Sequence, residues 1–274
     1  MDDISDIRDM YDAMWDREDD RLRRHQLEHD ITWRFLDPYL PASGHILDIG
    51  AGTGRYSLQL ARRGYRVLAV DLAPHLVARA RQRASQEGLG DRVEFRVGDA
   101  RHLPNVAEAT FDVALLMGPL YHLVLREDRL AALNQAYACL KSGGVLFSAW
   151  LSRFGIVGNV LKVNPGIIHE EAEVSAWLDR GQESADHGRA RGDFPRAYAA
   201  TVEEIAPLHT ESGFQMLALA GVEPAISADD ESYNRLEGEM RRRWLDLLFR
   251  ISTEPSMVAS SRHMLYVGRR PAKS

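Results

Sequence analysis

A glycine-rich turn between a short strand and a helix is the feature that most restricts how this chain can fold. Residues 48–54 read DIGAGTG, directly after the run HIL at 45–47 and before residues 55–61, whose apolar members recur at helical spacing. This order predicts a strand, a tight turn and a helix. Such a turn brings a ligand against bare backbone N–H groups at the start of a helix. The sequence therefore predicts a ligand site at residues 48–54.

The spacing of the glycines indicates which ligand this turn favours. A dinucleotide site requires G-x-G-x-x-G, so that the pyrophosphate can lie on the start of the helix. Here the glycines follow G-x-G-x-G, and Arg55 stands where the third dinucleotide glycine would be. The strand also ends in Asp48, whose carboxylate would repel a pyrophosphate but attract the ammonium group of an amino acid. A nicotinamide-dependent oxidoreductase is therefore disfavoured.

The pattern D-x-G-x-G-x-G closely resembles the glycine loop of class I (Rossmann-like) S-adenosylmethionine (SAM) methyltransferases, of the type that acts on small molecules. The resemblance covers most of residues 30–270, strongly over 45–150. It implies that SAM is the cofactor and that Asp48, Gly50, Ala51 and Gly52 bind it.

Alternating strand and helix patterns over residues 45–150 predict a doubly wound α/β fold, with a mostly parallel sheet and helices on both faces. Seven strands are expected, and the resemblance implies that the last one is antiparallel. The strands are predicted at 45–48, 65–71, 92–97, 111–117, 145–150, 214–220 and 262–267, and helices also at 130–140, 201–212 and 233–250, with a turn at 141–144.

An acidic residue ends the second predicted strand. Asp71 lies 17 residues after Gly54, near the roughly 20-residue spacing at which an acid accepts hydrogen bonds from ribose hydroxyls. The neighbouring Leu72 is assigned to the same cofactor site. The alternative is that Asp71 only caps the next helix, which Pro74 helps to start.

Another acidic residue follows the third predicted strand. The resemblance implies that Asp99 contacts the adenine amino group and that the N–H of Ala100 faces a ring nitrogen. The alternative is an ordinary turn, since Gly-Asp is common in turns. Three acidic residues that end successive strands favour the ligand role.

The fourth predicted strand leads into residues 118–122 (GPLYH). Ligands of open α/β sheets lie beyond the carboxyl ends of the strands, so Met117 and Gly118 should border the cofactor and its transferable methyl group. The segment is similar to the N-P-P-Y motif of methyltransferases that act on exocyclic amino groups of DNA bases. Because Gly118 lacks the side-chain oxygen of that motif, base methylation is disfavoured.

Two residues of the same segment are the catalytic candidates. His122 is the first candidate for a general base, since it follows the fourth strand and imidazole titrates near neutrality. Tyr121 is the second, as a base or as a hydrogen-bonding group that orients the acceptor. The alternative for both is a loop that only shapes the site. Weaker candidates are His169, Glu170, His187 and Tyr198.

Residues 1–40 are predicted to be helical, and the resemblance implies that they form a lid over the cofactor. One apolar stripe contains Ile4, Ile7, Tyr11, Met14 and Trp15. Tyr11 or Trp15 could stand near the sulfonium or the substrate, because an aromatic face attracts a cation. The alternative is that both pack on the core. His25 and His29 stand among charged residues, which predicts a solvated face.

Residues 151–200 are too long for an ordinary connection in a compact domain. The chain is therefore divided into an N-terminal helical lid (1–40), a SAM-binding core (41–150), a substrate-covering insertion (151–200) and the remaining part of the core (201–274). No metal is expected, because the insertion has no second spaced cluster of ligands.

The composition of the chain restricts the class of molecule that can be the methyl acceptor. The net charge of −6 and the isoelectric point near 5.9 argue against a nucleic-acid partner. No apolar run approaches the ~20 residues of a membrane span, no signal peptide is recognised, and the single cysteine, Cys139, suits a reducing cytoplasm.

The expected function is methyl transfer from SAM to a nitrogen or oxygen atom of a small organic acceptor, such as a secondary metabolite. Methylation of a peptide or protein terminus, and a non-catalytic SAM-binding regulator, remain alternatives.

Overall fold

The computed structural model describes residues 2–13, 24–182, 196–226 and 229–272. A single mixed sheet forms the centre of this part of the chain. Its strands are His45–Ile49 (β1), Arg66–Asp71 (β2), Val93–Val97 (β3), Phe111–Leu116 (β4), Leu140–Ser152 (β5), Ala199–Ala200 (β6), Gln215–Gly221 (β7) and His263–Arg269 (β8).

Helices cover both faces of the sheet, and none of those described is long and apolar enough to cross a membrane. The α-helices are Ser5–Ala13, Gln26–Leu36, Arg55–Arg62, Pro74–Gln86, Arg126–Cys139, Val157–Val163, Glu171–Arg180, Val202–Glu211, Asp230–Asn234, Gly238–Ile251 and Pro255–Ser260, and short 3₁₀ segments occupy Asp37–Tyr39, Pro119–Tyr121 and Pro165–His169.

The strand order across the sheet is β3-β2-β1-β4-β5-β8-β7, with β6 paired to β5 off this path. β8 is antiparallel to β5 and β7, whereas the other pairs are parallel. The predicted doubly wound α/β fold with an antiparallel last strand is therefore confirmed. The sequence missed β6, because two alanines carry no alternating pattern.

The two central strands alternate between two apolar cores. Ile46 of β1 and Val113 of β4 belong to the core on one face of the sheet, and Leu47 and Ala114 to the core on the other. Strands that are buried on both faces read as continuous apolar runs, as these do. The ends of these rigid strands therefore provide a firm base for the loops at their carboxyl edge.

Two predicted boundaries are wrong. The expected turn at 141–144 is part of β5, because Leu140 pairs with Phe111 and the strand then bulges before Val145; Gly143, at φ +83°, allows the bulge. The expected helix at 233–250 is two helices, since the backbone at Gly238 has φ +53° and interrupts the helical conformation.

The N-terminal helix Ser5–Ala13 is held against the core by charged contacts. The Arg196 guanidinium pairs with the carboxylates of Asp2 and Asp6. In the predicted apolar stripe, Ile7 is buried, whereas Met14 and Trp15 lie outside the described residues. The helix thus lies where a lid is expected, although the boundaries of lid, core and insertion remain predictions.

Candidate functional site

A cleft opens at the sheet edge where β1, β2, β3 and β4 end. The residues that the sequence assigned to the cofactor and the two leading catalytic candidates line it: Tyr11, Asp48, Gly50, Ala51, Gly52, Asp71, Leu72, Asp99, Ala100, Met117, Gly118, Tyr121 and His122. These residues come from five separate stretches of chain that the parallel sheet brings to one edge. Their individual roles in binding and catalysis remain predictions.

The glycine loop contributes shape more than hydrogen-bond donors. The N–H groups of Gly50 and Ala51 donate to the carbonyl oxygen of Val70, at 2.7 and 3.1 Å, and Gly54 N–H donates to Ala51 at 2.9 Å. Gly52 N–H donates to Asp71 Oδ2 at 2.7 Å. The expectation of bare N–H groups is therefore wrong for these four residues, because the loop is closed by its own contacts.

Gly50 must be glycine on steric grounds. It has φ +79°, and a Cβ placed there would lie 2.5 Å from Cδ of Pro119. Gly52, at φ +55°, differs: no atom of the described residues lies within 4 Å of the place a Cβ would take. The loop therefore packs on the segment after β4 at Gly50 and leaves open space beside Gly52.

Asp48 is a buried carboxylate in the floor of the cleft, with 2% of its surface exposed. The Ser57 hydroxyl donates to its Oδ2 at 2.5 Å. Burial raises the pKa of Asp48 to about 6, the Ser57 hydrogen bond opposes this shift, and the charge of Asp71 adds to it. A cation bound beside Asp48 would offset the penalty of its buried negative charge.

Asp71 supports the local backbone as well as facing the cleft. It accepts hydrogen bonds from Gly52 N–H and, at 2.9 Å, from Ala73 N–H at the start of the helix Pro74–Gln86. No side-chain hydrogen bond caps that helix, and the bond to Ala73 is instead a local turn of the backbone ahead of it. It does not compete with the ligand role, because a carboxylate offers about four acceptor positions.

Asp99 is oriented by a buried arginine. Arg101 donates to Asp99 Oδ2 at 2.7 Å and to Asp128 Oδ2 at the same distance. The backbone N–H of Arg101 also donates to Asp99 Oδ1 at 2.9 Å. Asp99 and the adjoining Ala100 therefore occupy fixed positions at the β3 end of the cleft.

The first catalytic candidate, His122, contacts the N-terminal helix. The Tyr11 hydroxyl lies 2.8 Å from Nε2 of His122, and the two rings meet edge to face. The other ring nitrogen of His122 lies 3.4 Å from the carbonyl oxygen of Arg196, and the Tyr121 hydroxyl lies 3.5 Å from the Met117 carbonyl oxygen. His122 is therefore bound to Tyr11 and does not face the cleft as an isolated base.

Three of the four weaker candidates do not line the cleft. Tyr198 donates its hydroxyl proton to Glu204 at 2.8 Å, and the Arg129 guanidinium covers its ring at 3.6 Å, which is a structural role. His169 and Glu170 are also absent from the cleft wall. His187 lies outside the described residues.

Sequence reasoning missed several residues of the cleft wall. Arg55, considered only as an exception to the dinucleotide pattern, lines the cleft, and so does Glu28. The predicted solvated face at His25 and His29 is wrong: His25 pairs with Asp230 at 3.2 Å. The sequence carried no signal for Glu28, because its helix meets the cleft only through packing against distant parts of the chain.

Comparisons with known proteins agree with this geometry. A family model described as a methyltransferase domain matches residues 46–144. The chain is 31% identical over 179 residues to the ubiquinone biosynthesis O-methyltransferase of Xanthomonas axonopodis pv. citri (strain 306), covering 60% of this chain and 72% of that protein. It is 30% identical over 138 residues to the tRNA 5-carboxymethoxyuridine methyltransferase of Escherichia coli (strain K12), covering 48% of this chain and 51% of that protein.

A solved structure shows the same fold. The SAM-dependent methyltransferase from Methanosarcina mazei superimposes with a TM-score of 0.61 at 20% identity, covering 87% of this chain and 98% of that one. The family, the enzymatic activity and the cofactor expected from the glycine loop are thus confirmed: the chain belongs to the class I, Rossmann-like SAM-dependent methyltransferases, and SAM is its cofactor.

Proposed function

We propose that this methyltransferase transfers the methyl group of SAM to a nitrogen or oxygen atom of a small organic acceptor. The observation that carries the proposal is the charge of the cleft wall. Its charged lining residues are Glu28, Asp48, Asp71, Asp99 and Arg55, so carboxylates outnumber guanidinium groups. A phosphate-rich acceptor would be repelled by such a wall, whereas proteins that hold nucleic acids present lysines and arginines.

The residues present fit SAM. Asp71 is proposed to receive the ribose hydroxyls, Asp99 and Ala100 the adenine edge, and Asp48 the ammonium group. Leu72 supplies apolar surface beside the nucleoside, and Gly50, Ala51 and Gly52 shape the backbone under the methionine half. Bound SAM supplies an electrophilic methyl group on a positively charged sulfur.

The β4 end of the cleft is proposed to receive the acceptor. Met117 and Gly118 border the methyl group in this proposal. A Cβ on Gly118 would lie 3.7 Å from the Tyr121 hydroxyl and 3.8 Å from the carbonyl oxygen of Gly50, so glycine leaves a passage between the loop and Tyr121. Methyl transfer requires alignment of donor and acceptor and exclusion of water, which this narrow passage favours.

His122 is proposed to act on the acceptor through Tyr11. Nε2 of His122 accepts the Tyr11 hydroxyl proton, which leaves the tyrosine oxygen able to accept a proton from the acceptor. Tyr121 orients the acceptor from the opposite side. Both Tyr11 and His122 lie at the interface of the N-terminal helix, so closing that helix on the core assembles this pair.

The test begins with the cofactor and ends with the acceptor. Calorimetric titration of ligand-stripped protein with S-adenosylhomocysteine, with NAD as the control, should show micromolar binding of the first alone. Labelled SAM is then offered with small phenols and amines, with short peptides and with unmodified tRNA. Transfer to a small molecule is the expected result, and transfer to peptide or tRNA alone would overturn the proposal.

A further inference from the structure

A cluster of ionisable side chains borders the cleft on the side away from the adenine end. It consists of Glu28, Glu223, Arg262 and His263, and is called here the Glu28 cluster. Glu223 is completely buried, Arg262 and His263 are nearly so, and Glu28 lines the cleft. None of the three buried residues is used by the cofactor motif, and Glu28 is the cleft carboxylate to which that motif assigns no role.

Topology places this cluster on the acceptor side. His263 begins β8 and pairs with Leu151 near the end of β5, and β5 lies beyond β4 from the adenine end. The His263 ring lies 6.4 Å from the ring of Tyr121, and its Nδ1 lies 3.9 Å from Oε2 of Glu28. Glu28 therefore lies beyond the position proposed for the methyl group, on the side of the cleft away from the adenine end.

Glu223 serves to hold its neighbours. Its Oε1 accepts hydrogen bonds from His263 Nδ1–H at 2.7 Å and from Arg262 Nη2 at 2.9 Å. Its Oε2 accepts from the His263 backbone N–H at 2.8 Å and from the Ser261 hydroxyl at 3.1 Å. Oxygens so fully occupied cannot bind a metal ion without losing these donors, although ligand atoms of Glu28, Glu223 and His263 lie within 4.8 Å of one another.

The two carboxylates of the cluster favour the protonated form of His263. Burial by itself would lower the pKa of His263, but the carboxylates of Glu223 and Glu28 and the hydrogen bond to Glu223 raise it above its usual value. Burial would likewise raise the pKa of Glu223, but His263 and Arg262 hold it far below its usual range.

Glu28 retains the capacity to accept hydrogen bonds. Among the described residues, no hydrogen bond to its carboxylate is seen. His263 Nδ1 lies 3.9 Å from Glu28 Oε2 and donates its proton to Glu223. A carboxylate that lines a cleft and keeps its acceptor positions is suited to an ammonium group.

We propose that Glu28 binds a positively charged amine group of the methyl acceptor, and that His263 and Glu223 are positioning residues that hold the Glu28 carboxylate in place. The inference rests on the proposed small-molecule function and adds a substrate class to it: acceptors that carry a primary or secondary amine. Asp48 remains the partner of the SAM ammonium group, so the two carboxylates bind different molecules.

The experiment compares amines with neutral partners of the same carbon skeleton. A panel of aromatic and aliphatic amines, each paired with its alcohol, is offered to the wild-type protein with labelled SAM, and binding is also measured calorimetrically in the presence of S-adenosylhomocysteine. We expect amines to be preferred. Glu28→Gln should raise the KM for amines about 10- to 100-fold while the affinity for S-adenosylhomocysteine stays within about twofold.

Two variants complete the design. Glu127→Gln, which changes an exposed glutamate that does not line the cleft, is the matched control and should leave the preference unchanged. Glu28→Asp retains the charge and should keep a weakened preference, which separates charge from folding. A wild-type protein with no preference for amines, or a Glu28→Gln variant that keeps it, would overturn the inference. If the wild-type protein transfers methyl groups to none of the small molecules, the proposed function itself is overturned.

Discussion

Asp48 shows how one residue can favour ligand binding at the expense of stability. Its carboxyl group is buried, its pKa is raised to about 6, and above that pH the folded protein holds a charge that burial disfavours. The unfolded chain ionises the same group near 3.8. Ionised Asp48 therefore destabilises the free protein above pH 6, and this effect disappears as the pH falls below 4.

We expect Asp48→Asn to raise the free energy of unfolding of the ligand-free protein at pH 8, by up to about 3 kcal/mol. The same change should lower the affinity for S-adenosylhomocysteine at least about tenfold, because the ammonium group loses its counter-charge. Urea denaturation and calorimetry check the two effects. A variant that is less stable at pH 8 and binds the ligand normally would contradict this role.

Gly50 provides a second prediction at the scale of one residue. Gly50→Ala should destabilise the protein by about 2 kcal/mol more than Gly88→Ala, because overpacking against Pro119 adds to the strain of a positive φ. Gly88 is the matched control, since its φ is +67° and no described atom lies within 4 Å of its would-be Cβ. Denaturation of both variants measures the difference, and equal losses would mean that Pro119 adapts.

At the scale of elements, the N-terminal helix is tied to the site by contacts of different kinds. Asp2 and Asp6 pair with Arg196, and Tyr11 meets His122. The charged pairs position the helix, whereas the Tyr11 contact lies in the cleft itself. Stability and catalysis can therefore be separated by substitution.

Tyr11→Phe removes the hydroxyl that is joined to His122 and leaves the ring. We expect kcat to fall about 10- to 100-fold, because proton transfer by a positioned group contributes at least that much, while the affinity for S-adenosylhomocysteine changes by less than about twofold. Tyr65→Phe is the matched control, since the Tyr65 hydroxyl donates to the Pro41 carbonyl oxygen away from the cleft. Unchanged kcat in Tyr11→Phe would remove the proposed relay.

At the scale of the whole molecule, the buried histidine His209 links stability to pH. His209 is completely buried; its Nδ1–H donates to the Ile205 carbonyl oxygen, and its Nε2 lies 2.8 Å from the Ser148 hydroxyl. Burial lowers its pKa to about 3, and the hydrogen bond to Ile205 opposes this shift. The folded protein therefore keeps His209 neutral at pH values where the unfolded chain protonates it.

His209 should make the protein less stable as the medium becomes acidic. The contribution of neutral His209 to the free energy of unfolding is complete above pH 6.5. It is lost as the pH falls from there towards 3, by about 1.4 kcal/mol per pH unit at most. We expect His209→Gln to be less stable than wild type at pH 7.5 and to show a shallower decline between pH 6.5 and 5. Parallel declines of the two proteins, measured by urea denaturation, would contradict this account.

The local sequence pattern was sufficient to predict the secondary-structure elements around the glycine loop. The strand that contains Asp48, the left-handed glycines and the helix after them depend on neighbours in sequence, so the residues alone predicted them. The same holds for Asp71 and Asp99, which end successive parallel strands and so must meet at one edge. Boundaries failed at Gly143 and Gly238, where pairing or backbone conformation overrode the local signal.

The sequence by itself determined the fold class and the cofactor, and it predicted many of the residues that line the cleft, because strand periodicity, turn geometry and motif spacing are local properties of the chain. Only the tertiary structure decided which groups act together across long separations. It brought Tyr11 to His122, and it brought Glu28 to His263, although 234 residues lie between these two in the sequence. No local pattern encodes such pairs, since they arise from the packing of helices and strands against one another.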